Sequence, residues 1–290
     1  MRIGMIYPQT EYGNDPAAIR DYAQIAEDLG FTHLLAYDHI LGENAAIPAQ
    51  GYRPYTHLSA FQEPFVLFSY LAGLTRQLEF TTGILILPQR QTAVVAKQAA
   101  TLDILSQGRL RLGIGLGWNA VEYEALNENF HNRGKRSEEQ IYVLRKLWTE
   151  PVVTYLGKYH TITESGLNPM PVQRPIPIWL GGVAEAVLKR AVHLGDGWMP
   201  NYRTFEQAKP ALETLRGYLE EAGRPAASFG IEARVIYDPN QPEKWLKDAE
   251  DWQQAGATHL SLNVMGLGYN TPEQHLAVLE QIASEVGLKR

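Results

Sequence analysis

Arg2-Ile3-Gly4-Met5-Ile6-Tyr7, then Asp15-Pro16 and a helix-period run through Leu29 to Gly30, form one complete strand-and-helix unit. The first segment is short and apolar, as a strand buried on both faces must be. Asp15 has the side chain of an N-cap, Pro16 the fixed φ suited to the first helical position, and Gly30 the freedom to end the helix. The same unit then recurs along the chain. Strand segments at 32–37, 78–87, 109–115, 176–181, 197–200, 229–237 and 258–264 are followed by helical segments at 63–75, 92–107, 119–149, 184–194, 205–222, 243–255 and 272–286. Eight such units predict an α/β fold, a single (β/α)8 TIM barrel occupying residues 1–290 as one domain. A doubly wound open sheet is the topological alternative, but Gly113-Ile114-Gly115-Leu116-Gly117 has GxGxG spacing and follows the fourth strand, so it is weak evidence for a dinucleotide site.

Two insertions interrupt the alternation, one after strand two (38–62) and one after strand four (151–175), both read as βα connections. The second contains two strand-like runs around Leu156-Gly157-Lys158 and reads as a hairpin. Both are expected over the C-terminal face, where a barrel carries its site.

The composition narrows the chemistry. With 290 residues, 45% of them hydrophobic, the chain has enough apolar surface for a large core. A net charge of -6, from 26 basic and 32 acidic residues, lacks the basic signature of a nucleic-acid binder. No cysteine is present, which removes thiolate metal sites, Fe–S clusters and cysteine nucleophiles. The first residues lack a signal-peptide core and no run approaches the roughly 18 apolar residues of a membrane span. A soluble, cytoplasmic protein without a cleaved leader is the expectation.

In a barrel, residues just beyond each strand converge on one site. Here they include Tyr7, Gln9, Asp38, His39, Gln89, Arg90, Trp118, Asn119, Gly181, Gly182, Trp198, Met199, Asn263 and Met265. Of the carboxylates only Asp38 sits directly at a strand end, whereas a glycosidase needs two. HExxH, HxH and GxSxG patterns are all missing, so neither metal hydrolysis nor a serine nucleophile is supported. An aromatic, amide-rich rim suits a flat heterocycle instead. Gly181-Gly182 just before a helix can cradle an anion on its backbone amides, or can simply form a tight turn. His39 can move a proton near neutral pH with Asp38 orienting it, or can be a satisfied buried histidine.

The motifs Thr82-Gly83-Ile84-Leu85-Ile86-Leu87-Pro88-Gln89-Arg90, Leu112-Gly113-Ile114-Gly115-Leu116-Gly117-Trp118, Ile178-Trp179-Leu180-Gly181-Gly182 and Gly195-Asp196-Gly197-Trp198-Met199-Pro200 carry a resemblance across nearly the whole chain. The chain resembles the bacterial-luciferase-like superfamily, most closely its coenzyme F420-dependent oxidoreductase branch. The resemblance implies a flavin or deazaflavin ring across the strand ends, seated on a non-proline cis peptide that matches the bond between Gly83 and Ile84. It also implies that Asp38-His39 lies near the reacting face, and that Gly115, Gly117, Gly181, Gly182 and Val183 bind the cofactor phosphate. Tyr7, Gln89, Trp118, Asn119 and Trp198 complete the expected cofactor contacts, with Gln89 and Asn119 on its headgroup.

In sugar-phosphate dehydrogenases of the superfamily a Trp follows the Asp-His pair and a Glu follows the strand-four glycines; Glu43 and Trp118 stand near those places here, which argues against that substrate. The expected activity is hydride transfer between F420 and a small organic substrate. The alternatives are a reduced-FMN monooxygenase served by a separate flavin reductase, and a flavin-binding barrel without turnover; Arg133, Lys135, Arg136 or Lys158 near the mouth would favour the acidic tail of F420. The resemblance further implies a homodimer.

Overall fold

The computed structural model describes residues 1–48 and 53–288. Its strands are β1 (Arg2–Ile6), β2 (His33–Ala36), β3 (Glu79–Thr82), β4 (Leu85–Ile86), β5 (Leu110–Gly115), β6 (Val153–Leu156), β7 (Thr161–Ser165), β8 (Ile178–Gly181), β9 (Gly197–Met199), β10 (Gly230–Ile236) and β11 (His259–Asn263). The helices are α1 (Pro16–Asp28), α2 (Pro64–Ala72), α3 (Thr92–Leu105), α4 (Ala120–Ala125), α5 (Arg133–Thr149), α6 (Glu185–Leu194), α7 (Phe205–Glu221), α8 (Pro242–Gln254) and α9 (Pro272–Glu285). Around the barrel the order is β1, β2, β3 with β4, β5, β8, β9, β10 and β11, and β11 pairs back onto β1 in register Arg2 with His259. Every one of these pairings is parallel. The closed eight-stranded (β/α) barrel expected from the repeating units is therefore present.

Local chemistry starts the helices where it was anticipated. Asp15 accepts a hydrogen bond from the amide of Ala17, and Gly30 takes the left-handed conformation at φ +89 just past α1. Thr271 and Gln274 form a capping box at α9.

Two predicted elements are broken. The third strand divides into β3 and β4 on either side of the cis Gly83–Ile84 peptide; β3 pairs with β5 at Phe80 and Leu110, and β4 resumes at Leu85 and Ile114. The helical region 119–149 divides into α4, a 3-10 turn at Phe130–Asn132, and α5.

Strand alternation sorts the side chains into two apolar clusters. Met5, Tyr7, Leu34, Ala36, Leu112, Ile114, Ile178, Leu180 and Trp198 point outward into the layer between sheet and helices. Ile6, Leu35, Trp179 and Met199 point into the lumen, with Tyr37, Ile84 and Met265 against them.

From the insertion at 38–62, Tyr55 and Phe61 line the cavity at the strand C-termini; its residues 49–52 lie outside the described residues. The insertion at 151–175 does not lie over that face. It forms the expected antiparallel hairpin, β6 with β7, but the hairpin packs on the barrel's flank. His160 bonds Thr92 at the start of α3 (2.6 Å) and Glu139 in α5 (2.8 Å), and Gln173 bonds Asp103 and the Leu110 carbonyl. The physical reason is connectivity: this segment leaves a helix and leads into β8, so it starts from the face opposite the strand C-termini.

Candidate active site at the C-terminal mouth

A cavity of about 510 Å³ opens between the C-terminal ends of the strands, within the range of small-molecule sites. Of the sequence-predicted residues, Asp38, His39, Gly83, Ile84, Gly115, Gly117, Trp118, Gly181 and Gly182 line it. Tyr7, Gln89, Asn119, Val183 and Trp198 do not line it. Tyr7 and Trp198 sit at outward positions of β1 and β9, one residue out of phase with the lumen-facing Ile6 and Met199. Tyr7 packs edge-on against Tyr12 and Tyr22.

The floor is shaped around Ile84. A β-carbon at Gly115 would come 2.5 Å from Cδ1 of Ile84, and one at Gly181 would come 2.4 Å from its Cγ2. Glycine at both positions therefore leaves the room in which Ile84 lies, and that gives each a packing role besides any contact with a ligand. Asp38 clamps the segment just beyond: its carboxylate accepts from the Ile86 amide (2.9 Å) and from Arg90 (2.7 Å). Arg90 is shared with Glu63, the N-cap of α2. Burial opposes the charge on Arg90, and the Asp38 and Glu63 carboxylates beside it keep its pKa raised.

Asp38 thus does not orient His39, contrary to the expectation from their adjacency. Successive residues diverge, and the carboxylate that faces His39 is Glu122, in the first turn of α4, with Oε2 3.6 Å from Nδ1. Glu122 is buried and well held: Oε1 accepts from the amides of Ile40 and Leu41, and Oε2 accepts from the Tyr55 hydroxyl at 3.0 Å. Burial pushes its carboxyl up, but His39, the Leu41 amide and Tyr55 outweigh this and hold it below its ordinary value. The imidazole stacks on Tyr55 with centroids 3.8 Å apart and meets Phe61 edge-on. Asn119 caps α4 and donates to Tyr55, so its amide supports this stack from behind. Gln89 is buried in a 3-10 turn after β4, and neither atom of its amide finds a partner among the described residues.

On the β8 side, Gly181-Gly182 ends the strand with Gly182 at φ +135. Helix α6 begins three residues later at an N-cap, Ala184, that offers no side-chain acceptor. The first amides of α6 therefore have no side-chain cap where they stand beside the glycine turn. Trp198 donates from Nε1 to the Gly182 carbonyl (2.8 Å) and braces that turn from the helix side.

At the bottom of the cavity, Glu232 accepts from His33 (3.1 Å) and Ser261 (2.5 Å) and pairs with Arg111, whose guanidinium lies over the Trp179 ring. Burial raises the Glu232 carboxyl, but Arg111 and His33 prevail and hold it well below the carboxylate range. Glu122, Tyr55 and Arg234 were missed in the sequence. Glu122 had a usable signal, an acid in the first turn after the glycines of strand four; Tyr55 lies in an unpatterned loop and had none.

The sequence profile of the luciferase-like monooxygenase family matches residues 1–279. The chain belongs to that family. Its relatives include an uncharacterized protein of Mycobacterium tuberculosis, 33% identical over 207 residues (70% of this chain and 71% of the relative). Another is the FMNH(2)-dependent dimethylsulfone monooxygenase of Pseudomonas fluorescens, 31% identical over 83% of this chain and 62% of the relative. The barrel superimposes on the coenzyme F420 dependent tetrahydromethanopterin reductase from Methanopyrus kandleri with a TM-score of 0.77, at 16% identity and 99% coverage of both chains. That last likeness is one of fold. The luciferase-like family is one of oxidoreductases and monooxygenases, and the cavity described above is where a barrel of this kind carries its chemistry. Among the described residues no helix is long and apolar enough to cross a membrane.

Proposed function

We propose that this luciferase-like barrel binds a flavin-type cofactor, coenzyme F420 in the first reading, and passes hydride to or from a small organic substrate. The observation that carries the proposal is the buried Glu122 carboxylate facing Nδ1 of His39 on the cavity wall. A histidine so placed has its other ring nitrogen for a proton of the substrate. The cavity suits such a cofactor: apolar Leu35, Ile84 and Met199 can flank a flat ring, and the Gly181-Gly182 turn with α6 can take a phosphate. When bound, the deazaflavin supplies a carbon that gives or accepts hydride. Gly83 and Ile84 would seat the ring, and Val183 and Ala184 would add amides to the phosphate cradle. His39 would hold the proton, Tyr55 and Phe61 would fix its plane, and Trp118 with the 38–62 loop would exclude water. A homodimer is part of the proposal.

A second reading, a reduced-FMN monooxygenase supplied by a separate reductase, is favoured by the 31% identity to the FMNH(2)-dependent dimethylsulfone monooxygenase. Two of the four basic residues that would favour the F420 tail are not available to it at the mouth. Lys158 is on the flanking hairpin, and Arg136 is spent on Glu128 and two backbone carbonyls.

Parallel fluorescence titrations with F420 and FMN test the reading. Saturable binding of F420 with weak or no binding of FMN is expected, and the reverse selects the second reading. A protein that binds neither overturns both. A His39→Ala variant that binds cofactor normally and turns over at the wild-type rate removes the proton role.

A further inference from the structure

Arg234 differs from the other charged residues around the cavity. It lies on β10 two residues beyond Glu232, so both point into the lumen, and it lines the cavity wall. Its neighbour Glu232 is committed to Arg111, His33 and Ser261. The other carboxylates of the site are committed as well, Asp38 to Arg90 and the Ile86 amide, Glu122 to two amides, Tyr55 and His39. Among the described residues no carboxylate oxygen comes within salt-bridge reach of Arg234. Among the described residues its side chain makes one long hydrogen bond, 3.4 Å from Nη1 to the Tyr37 hydroxyl, and its Nε is buried with no partner.

A half-buried guanidinium without a counter-charge is costly, and an anion placed beside it would offset that cost. Its planar fork matches an oxyanion with two coplanar acceptors. On the neighbouring β11 the register partner of Arg234 is Ser261, and Asn263, two residues further along that strand, lines the same cavity; its Oδ1 is held by the Met265 amide, which leaves the amide nitrogen as a second donor on this side of the lumen. This wall is not the phosphate cradle. Arg234 is on β10, separated from Gly181 on β8 by β9, and it lies across the lumen from the Gly83–Ile84 floor, with β5, β8 and β9 between them one way and β11, β1 and β2 the other.

We propose that Arg234 receives a compact oxyanion, a carboxylate or sulfonate, carried by the substrate, with Asn263 as the second donor. This rests on the reading of the cavity as the active site and adds the substrate's charge class. The barrel then has two anion-receiving walls, one for the cofactor's phosphate and one for the substrate's acid group. A neutral substrate analogue would leave the guanidinium desolvated and unpaired, so the site would discriminate against it.

Isothermal titration of the full chain with sodium benzoate, sodium benzenesulfonate and neutral benzamide, with and without cofactor, tests this. Benzoate or benzenesulfonate should bind about tenfold or more tightly than benzamide. Arg234→Gln should abolish that preference, Arg234→Lys should restore part of it, and the F420 and FMN titrations should be unchanged in both. Equal binding of benzoate and benzamide to the wild-type chain, or no binding of either acid, overturns the proposal. So does an Arg234→Gln chain that keeps the acid preference, and weaker cofactor binding in that variant would assign the arginine to the cofactor. Failure of both cofactors to bind while the acid preference persists would remove the cofactor reading and leave Arg234 as an anion site.

Discussion

Oε2 of Glu122 stands 3.6 Å from Nδ1 of His39, while Asp38, the chain neighbour of that histidine, turns its carboxylate away to Arg90 and the Ile86 amide. The two acids therefore divide the work. Asp38 ties the end of β2 to the segment after β4, and Glu122 faces the imidazole across 83 residues of chain.

Glu122 is a positioning residue, and Glu122→Gln should separate its effect on His39 from its effect on the fold. The amide oxygen of Gln can still accept from Ile40 and Leu41. We expect kcat to fall about 10- to 100-fold with KM and cofactor affinity nearly constant, and the pH profile of kcat to change shape. A variant with wild-type kcat and an unaltered pH profile would show that His39 needs no carboxylate.

The glycine floor predicts a coupled pair. Gly115→Ala places a methyl group 2.5 Å from Cδ1 of Ile84, and overpacking of this kind costs about 1–3 kcal/mol. Ile84→Ala removes that Cδ1 together with the Cγ1 that would lie 2.8 Å from the new methyl, so Gly115→Ala should cost at most half as much in that background. Urea unfolding of the four members of the cycle reads the coupling. Strict additivity would mean that the floor relaxes without using Ile84.

Acid sensitivity should have two stages. His259 is pushed down to about 2 by burial, with Arg111 and His33 adding to the effect. The unfolded chain takes up that proton near pH 6.5 while the folded chain does not, so stability is complete above about 6.5 and falls as pH drops below it. Glu232 is held low in the fold, so its contribution is complete above the ordinary glutamate value of about 4.3 and is lost below it. Each additional proton steepens the slope by about 1.4 kcal/mol per pH unit. Urea midpoints from pH 8 to 3 should bend at both places, and His259→Gln should flatten the upper bend. An unchanged slope between pH 6.5 and 4.5 in that variant would assign the loss to other groups.

The hairpin at 151–175 is fastened to the flank through Glu139, which holds His160 and the amides of Lys158 and Tyr159. Glu139→Gln should lower stability by about 1–2 kcal/mol and leave cofactor affinity at the wild-type value. A large loss of cofactor binding with little loss of stability would show that the hairpin does reach the mouth.

The barrel was legible because each of its sixteen parts carries its own local signal. Asp15, Pro16 and Gly30 mark a helix's ends without reference to the rest of the chain, and eight repeats of such a unit leave few topologies. The glycines of the floor were legible too, through the motifs around Gly83, Gly115 and Gly181. Three things were decided only in three dimensions. Which strand residues face the lumen could not be read, because both faces of a parallel barrel strand are buried and the apolar runs show no alternation; Tyr7 and Trp198 fell on the outer face for that reason. The end of the barrel that the hairpin occupies followed from its being a helix-to-strand connection, and its height on the flank from side-chain bonds to α3 and α5. Finally, the partners of the charged residues, His39 with Glu122, Arg111 with Glu232, and Arg234 with no carboxylate among the described residues, are set by barrel closure, which brings together side chains whose separation along the chain carries no trace of their contact.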